Sequence, residues 1–379
     1  MTHRQCQLFG TGELTLEKHF YSVMKKLLLA FLAVIPTAAF QAAEIVAVAH
    51  PGEKLPPDRT VIWTPLFQAA WDDLHRTLGE PVKVEPPNVL MDLLDHFDWK
   101  ADSVMPRNRW KVWTGEATQE LIDKANAEAA RMTGEKTGPF KSAPRPGSLI
   151  ALGLLDRDLI FKKPLHRSVE VPLEFHLADG TKPKVRFFGA RRKASGAFGG
   201  MVRVLAFQEG IHALQIAGAG DESVVLYLPE KPATFIEACD KLREWRSKKL
   251  EGVSGSAQDP NLHENDDLRI PILKWDSTTD FVPLLKSLRH FKDGGPPWII
   301  SKAEQRLKFE LTEKGAKLHV KVEMGADPFG EPPSPPPMIP RFFHFDRPFF
   351  VFLWRDNAEW PYFGAWIGDP SALEEFKAP

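Results

Sequence analysis

Cysteine is nearly absent from this chain. Its 379 residues include only Cys6 and Cys239, so a disulfide scaffold is excluded and a hydrophobic core must supply the stability. Cys239 follows Phe235 and Ile236 at helical spacing and reads as a buried, inert thiol. An excess of one charge is missing too: 49 basic side chains face 50 acidic ones. That balance argues against nucleic acid as an electrostatic partner. Past residue 43 no run approaches the roughly 20 apolar residues of a membrane helix. Internal repeats are absent, and so are motifs for catalysis. Gly218-Ala219-Gly220 lacks the third glycine of a dinucleotide loop. His263-Glu264-Asn265-Asp266-Asp267 has no second histidine four residues on, so it is not a zinc-protease helix, and its carboxylates suit a solvated loop better than a calcium site. Gly252-Val253-Ser254-Gly255-Ser256 has the wrong order for a nucleophile elbow. The expectation is a non-enzyme with no catalytic residue, cofactor or metal.

What is present begins with a leader pattern. Met24 is followed by Lys25-Lys26, an apolar run from Leu27 to Ile35, then small residues to Ala43. This reads as a signal peptide over residues 24–43, with residues 1–23 an over-called start and the exported chain beginning near Glu44. No cysteine follows the apolar run, so no lipid anchor is indicated. The expected location is secreted or periplasmic, with no membrane attachment once the leader is removed. At 43% hydrophobic residues the remainder has a globular, not a disordered, composition.

Along residues 44–379 the period of the apolar positions changes. Pro65–Leu78 places Leu66, Phe67, Ala70, Trp71, Leu74 and Leu78 on one helical face. Val89–Trp99 and Thr118–Met132 are further helix candidates, and 133–147 is a Gly/Pro loop. From Ser148 the period is two. Leu149–Phe161 reads as a central strand, Val169–Phe175 and Lys184–Ala190 as alternating strands, and Met201–Phe207, Ile211–Ile216 and Val224–Leu228 as further strands. Pro232–Lys248 is an amphipathic helix. Helices first, then mostly strands, is an α+β order.

The C-terminal stretch Phe343-His344-Phe345-Asp346-Arg347-Pro348-Phe349 to Arg355, then Phe363-Gly364-Ala365-Trp366-Ile367-Gly368-Asp369-Pro370, resembles the closing hairpin of the serpins. Leu268-Arg269-Ile270-Pro271-Ile272-Leu273-Lys274-Trp275, Val224 to Lys231 and Val61-Ile62-Trp63-Thr64-Pro65 are similar to other serpin strands, in family order. The resemblance implies a single serpin-like α+β domain over 44–379, with three β-sheets. Once the leader is removed, only about 16 residues would precede the Val61-to-Pro65 strand, and 79–147 is short, so the helix set should be reduced.

The resemblance also equates Glu313, Lys314, Gly315, Ala316, Lys317 and Leu318 with the serpin hinge, and 313–340 with hinge plus reactive loop. Family spacing from Gly315 puts the bait bond at Phe329-Gly330. An inhibitory hinge continues in small residues, so that the cleaved loop can slip into the sheet. Here Ala316, Leu318, Val320, Val322 and Met324 alternate with Lys317, His319, Lys321 and Glu323, the pattern of a strand with one buried face. Burying four such side chains is worth on the order of 6–12 kcal/mol gross, comparable to the stability of a domain. The expectation is a strand already in the sheet, and hence a non-inhibitory binding or structural protein; the alternative is a serine-protease inhibitor acting by suicide loop insertion. Pro328, Pro332, Pro333, Pro335, Pro336, Pro337 and Pro340 stiffen the 325–340 loop, the expected contact for an extracellular protease or another protein. Lys241, Arg243, Arg246, Lys248 and Lys249 are the candidate site for a polyanion.

Overall fold

The apolar runs and alternations become three sheets in the computed structural model. It describes residues 45–82, 88–141, 145–208, 210–231, 234–248, 257–281, 289–290, 298–318 and 340–378, all within the compact unit Ala43–Pro379. The leader and start readings therefore lie outside the described residues.

The first sheet runs β1 (Val46–Val48), β2 (Val61–Trp63), β20 (Phe363–Ile367), β19 (Phe349–Arg355), β12 (Glu222–Leu228), β11 (Ile211–Ala217), β10 (Val202–Gln208). Its strands are near-continuous apolar runs because both faces are covered. All five residues of β20 and six of the seven in β19 are buried. Helix α5 (Phe235–Ser247) closes one face, with Phe235 packed on Trp63, Phe350 and Phe352.

The second sheet runs β3 (Trp110–Glu116), β4 (Ser148–Leu155), β16 (Trp298–Thr312), β17 (Gly315–Leu318), β5 (Arg157–Ile160), with β14 (Leu273–Asp280) and β15 (Arg289–His290) also paired to β16. The third runs β18 (Phe342–His344), β13 (Asp267–Pro271), β9 (Phe187–Ala190), β6 (His166–Arg167). A two-stranded ribbon, β7 (Leu173–Glu174) and β8 (Lys184–Val185), completes the strands.

Helix α1 (Leu66–Leu78) buries Leu66, Trp71 and Leu74, and ends at Gly79 in the left-handed conformation. The other helices are α2 (Val89–Asp95), α3 (Ala101–Val104) and α4 (Gln119–Thr133), so five α-helices are seen among the described residues. Thr118 caps α4 through its hydroxyl, which accepts from the Leu121 amide. Ile122, Ala125 and Ala129 pack α4 against Trp113, Ile150 and Leu152 of the second sheet.

Five local readings change. Lys184–Ala190 is two strands, β8 and β9, in different sheets, parted at Arg186, whose amide bonds the Glu374 carbonyl. Leu149–Phe161 is not one strand: it breaks at Asp156, whose amide turns aside to the Arg109 carbonyl. Val89–Trp99 is shortened: α2 stops at Asp95, where the His96 amide bonds the Asp92 carbonyl, and the separate turn α3 starts beyond it, at Ala101. Val169–Phe175 keeps only Leu173–Glu174 as strand: Pro172 has no amide to donate, and the Ser168 hydroxyl bonds the Val171 carbonyl to form a turn. The loop His263–Asp267 is not solvated: Asp266 is fully buried against Arg341. Strands β1 and β3 had no counterpart in the sequence reading.

Candidate functional site at the parted strands of the second sheet

Strand β16 has fifteen residues and two different neighbours on one edge. Near its start it pairs in parallel with β4, from Ile299 opposite Ser148 to Ala303 opposite Ala151. Near its end it pairs antiparallel with β17: Thr312 with Gly315, Leu311 with Ala316, Glu310 with Lys317. The other edge of β17 is taken by β5, from Gly315 opposite Ile160 to Leu318 opposite Arg157. Since β4 and β5 are the two halves of one broken strand, β17 is a wedge driven between that strand and β16.

Between the wedge and the closed part, residues 152–156 and 304–309 show no ladder pairing with each other. A cavity of about 340 Å³ lies there, lined by Gly153, Leu155, Lys302, Gln305, Leu307 and Phe140 among others. A smaller apolar cavity of about 40 Å³ lies against α1, walled by Leu66, Trp71, Phe281 and Ile300. Gln305 reaches both and is only 8% exposed. Its Oε1 accepts from the Thr64 hydroxyl at 3.4 Å, whereas its Nε2 has no hydrogen-bond partner. A buried amide donor left unpaired costs about 1–3 kcal/mol.

The hinge residues are held by their backbone. The Glu313 carbonyl accepts from the Leu165 amide and the Lys314 carbonyl from the Phe161 amide, both at 2.9 Å. The Glu313 carboxylate lies 3.8 Å from Arg167. Gly315 has φ of 136°, a region side chains avoid, and a Cβ there would stand 2.0 Å from the Leu159 carbonyl oxygen. Ala316 is fully buried and Lys317 half-buried. Of Leu318 the backbone is described, in β17. Phe329 and Gly330 lie outside the described residues, as do Lys249 and the rest of 319–339.

Two polar nodes lie near the ends of the hinge and loop region. Beside β5, Arg157 Nε and the Tyr362 hydroxyl both donate to Glu222 Oε2, at 2.8 and 2.9 Å. Burial and the adjacent Glu222 push the Tyr362 hydroxyl well above its usual pKa. At the downstream end of the loop, fully buried Arg341 grips both carboxylate oxygens of Asp266 and donates to the carbonyls of Asp259 and Asn261, each at 2.6 Å. The described chain thus stops at Leu318 in the second sheet and resumes at Pro340, next to this node.

The sequence reading missed Gln305 and Arg341. A signal existed for the first: Ala303, Leu307, Phe309 and Leu311 are buried at alternate positions of β16, and Gln305 is the polar member of that series. The basic cluster on α5 is largely neutralised. Lys241 and Lys248 both pair with Glu244, and Arg243 with Asp240 and Glu359. Arg246 lies over the Trp354 ring and donates to the Asp356 carbonyl.

No family model and no curated protein matches the sequence. Solved structures do match. Thyroxine-binding globulin in complex with thyroxine superposes with a TM-score of 0.50 at 13% identity, covering 83% of this chain and 94% of that one. Tengpin, a thermophilic serpin in its native state, gives a TM-score of 0.50 at 11% identity, covering 84% and 90%. The chain has the serpin fold. The three sheets are those the serpin resemblance implied, and the helix set is reduced. Within this serpin fold no helix among the described residues is long and apolar enough to cross a membrane, and no group of residues there could hold a metal ion.

Proposed function

We propose that this serpin-fold chain is an exported binding or structural protein that does not work as an inhibitory spring. The observation that supports the reading is the ladder pairing of Gly315–Lys317 on both edges, between β16 and β5. An inhibitory mechanism stores energy by keeping the loop out of the sheet until a protease cuts it. A loop whose first strand is paired at rest has released part of that energy. Each backbone bond contributes roughly 1 kcal/mol net, so the wedge is worth a few kcal/mol. The proline-rich 325–340 segment serves as the contact loop for a partner protein.

The test is incubation with chymotrypsin-like and subtilisin-like proteases. The expected result is cleavage near Phe329 with no detergent-stable covalent complex and a nearly unchanged melting temperature. Suicide inhibition is the second reading, and one observation favours it: β4 and β16 are still paired from Ser148 to Ala151, so the sheet has room to open further. A covalent complex on a denaturing gel, or a rise of tens of degrees after clipping, would decide for the inhibitor. Export predicts an N-terminus near Glu44 by mass spectrometry of the secreted protein; an intact Met1 in the cytosol would refute it.

A further inference from the structure

The outer face of the third sheet carries positive charge that no carboxylate among the described residues pairs. One cross-strand row runs over all four strands: His344 on β18, Arg269 on β13, Gly189 on β9, His166 on β6. Strands about 4.8 Å apart make that row about 14 Å long, the reach of roughly four extended residues. Arg191 follows the end of β9 directly, two residues past Gly189. Arg192 sits over the Phe342 ring at 5.8 Å, and Lys163 over Phe198 at 4.9 Å. Phe198 in turn packs edge-on against His166.

Four cations here, Lys163, Arg191, Arg192 and Lys193, are exposed and have no ion pair with a carboxylate among the described residues. Their neighbours are already committed. Arg269 and His344 share Asp267 at 2.8 Å each, and Arg167 and Arg186 share Glu374. The backbone carbonyl of Glu264 is occupied by the Lys193 amide. The contrast with α5 is direct: there the lysines and Arg243 are paired internally, here the charge is open. Apolar side chains stand at both margins of the strip. Phe342 is 47% exposed on the β18 edge, and Val169 and Val171 are 61% and 53% exposed just past β6.

We infer that this strip is a docking surface for an acidic, partly apolar peptide segment of a partner protein. Charge complementarity selects an anion, and the apolar margins select a peptide over a sulfated polysaccharide, which would match the cations but leave Phe342 and the valines in water. The row across four strands suits an extended segment. This surface is separate from the 325–340 loop and does not depend on whether the chain inhibits proteases.

The test is fluorescence anisotropy with a labelled synthetic peptide of about eight alternating Glu and Leu residues, long enough to span the row. Heparin and inorganic phosphate are the comparison probes. Binding of the peptide at low salt is expected, weakening as salt rises. The double variant R191E/R192E should weaken it at least about tenfold. F342A should weaken it by a smaller factor, and K241E/K248E on α5 should leave it unchanged. Unchanged melting curves will show that the variants fold. A second readout is the His166 imidazole by NMR. Burial, Arg191 and Lys163 hold it below its usual pKa, so an anion bound to those cations should raise it. The inference is overturned by three results: no peptide binding, equal loss in the α5 control, or tighter binding of heparin that F342A does not affect.

Discussion

The hairpin β19–β20 and the hinge hairpin β16–β17 are both antiparallel pairs, but they are held by different forces. In the first, five successive pairs from Phe349–Ile367 to Leu353–Phe363 have every side chain buried. Aromatic rings interlock across it, with Phe350 and Trp366 centroids 4.8 Å apart. In the second, three pairs carry the contact, and of the β17 side chains described only Ala316 is an apolar group fully buried. A cavity and an unpaired Gln305 donor lie beside it. Apolar burial on two faces locks a register, because a one-residue slip would turn every side chain the wrong way. Backbone pairing alone holds a strand that can leave. The first sheet is therefore a frame, and the second is where a conformational change costs least.

The largest expected effect is in the frame. Phe352 is fully buried against Phe235 and Trp354. Phe352→Ala should cost about 3–5 kcal/mol in urea unfolding. A loss below about 1 kcal/mol would break the contrast, since the hairpin would then tolerate a cavity as a loose strand does.

Acid should also strike the first sheet. His212 of β11 is buried between Phe343 and Phe345, with Nε2 3.2 Å from the His344 carbonyl, and burial lowers its pKa to about 4. The unfolded chain takes up this proton near pH 6.5, before the folded one does. Its contribution is therefore whole above pH 6.5 and is lost as the pH falls towards 4, in all about 3 kcal/mol. His50, His75, His166 and His263 are shifted in the same direction. The difference in pH-dependent stability between wild type and His212→Gln isolates the one residue; parallel curves would remove His212 from the account.

A smaller effect is expected at the wedge. Gly315→Ala puts a Cβ against the Leu159 carbonyl at a positive φ. The variant should lose about 1–3 kcal/mol, with β17 leaving the sheet rather than the fold failing. Amide exchange at 316–318 should accelerate while β19 and β20 stay protected. If those strands lose protection equally, β17 belongs to the frame.

The smallest effect is at Gln305. Gln305→Met removes the orphan donor and keeps the volume, so stability should stay within about 1 kcal/mol of wild type or rise. A loss of several kcal/mol would mean that the amide has a partner in solution.

Strand identity was readable where burial is two-sided or strictly alternating. Val224–Leu228 and Phe349–Arg355 are apolar on nearly every residue, and they are strands in the fold. Strand β3 escaped notice because Gly115 and Thr114 break its apolar pattern; Thr114 is buried by bonding Asp73 of α1, not by apolar contact. The hinge was legible as an alternation, but its partners were not. Gly315 faces Ile160 across more than 150 residues of sequence, and nothing local to either segment encodes that pairing.

Most strands and helices, the lack of a disulfide scaffold, and the order of motifs that resembles a serpin were legible in the sequence, because spacing and side-chain type are local properties. Only the tertiary structure decided where the second sheet parts and that Asp266 is spent on Arg341. It also decided which cations keep their charge open to solvent. Each of these depends on what a residue meets once the chain is folded: Lys241 and Lys248 share Glu244, whereas Arg191 and Lys193 meet no carboxylate among the described residues. Charge and apolarity can be counted along a chain, but whether a group is paired, buried or free is set by long-range packing.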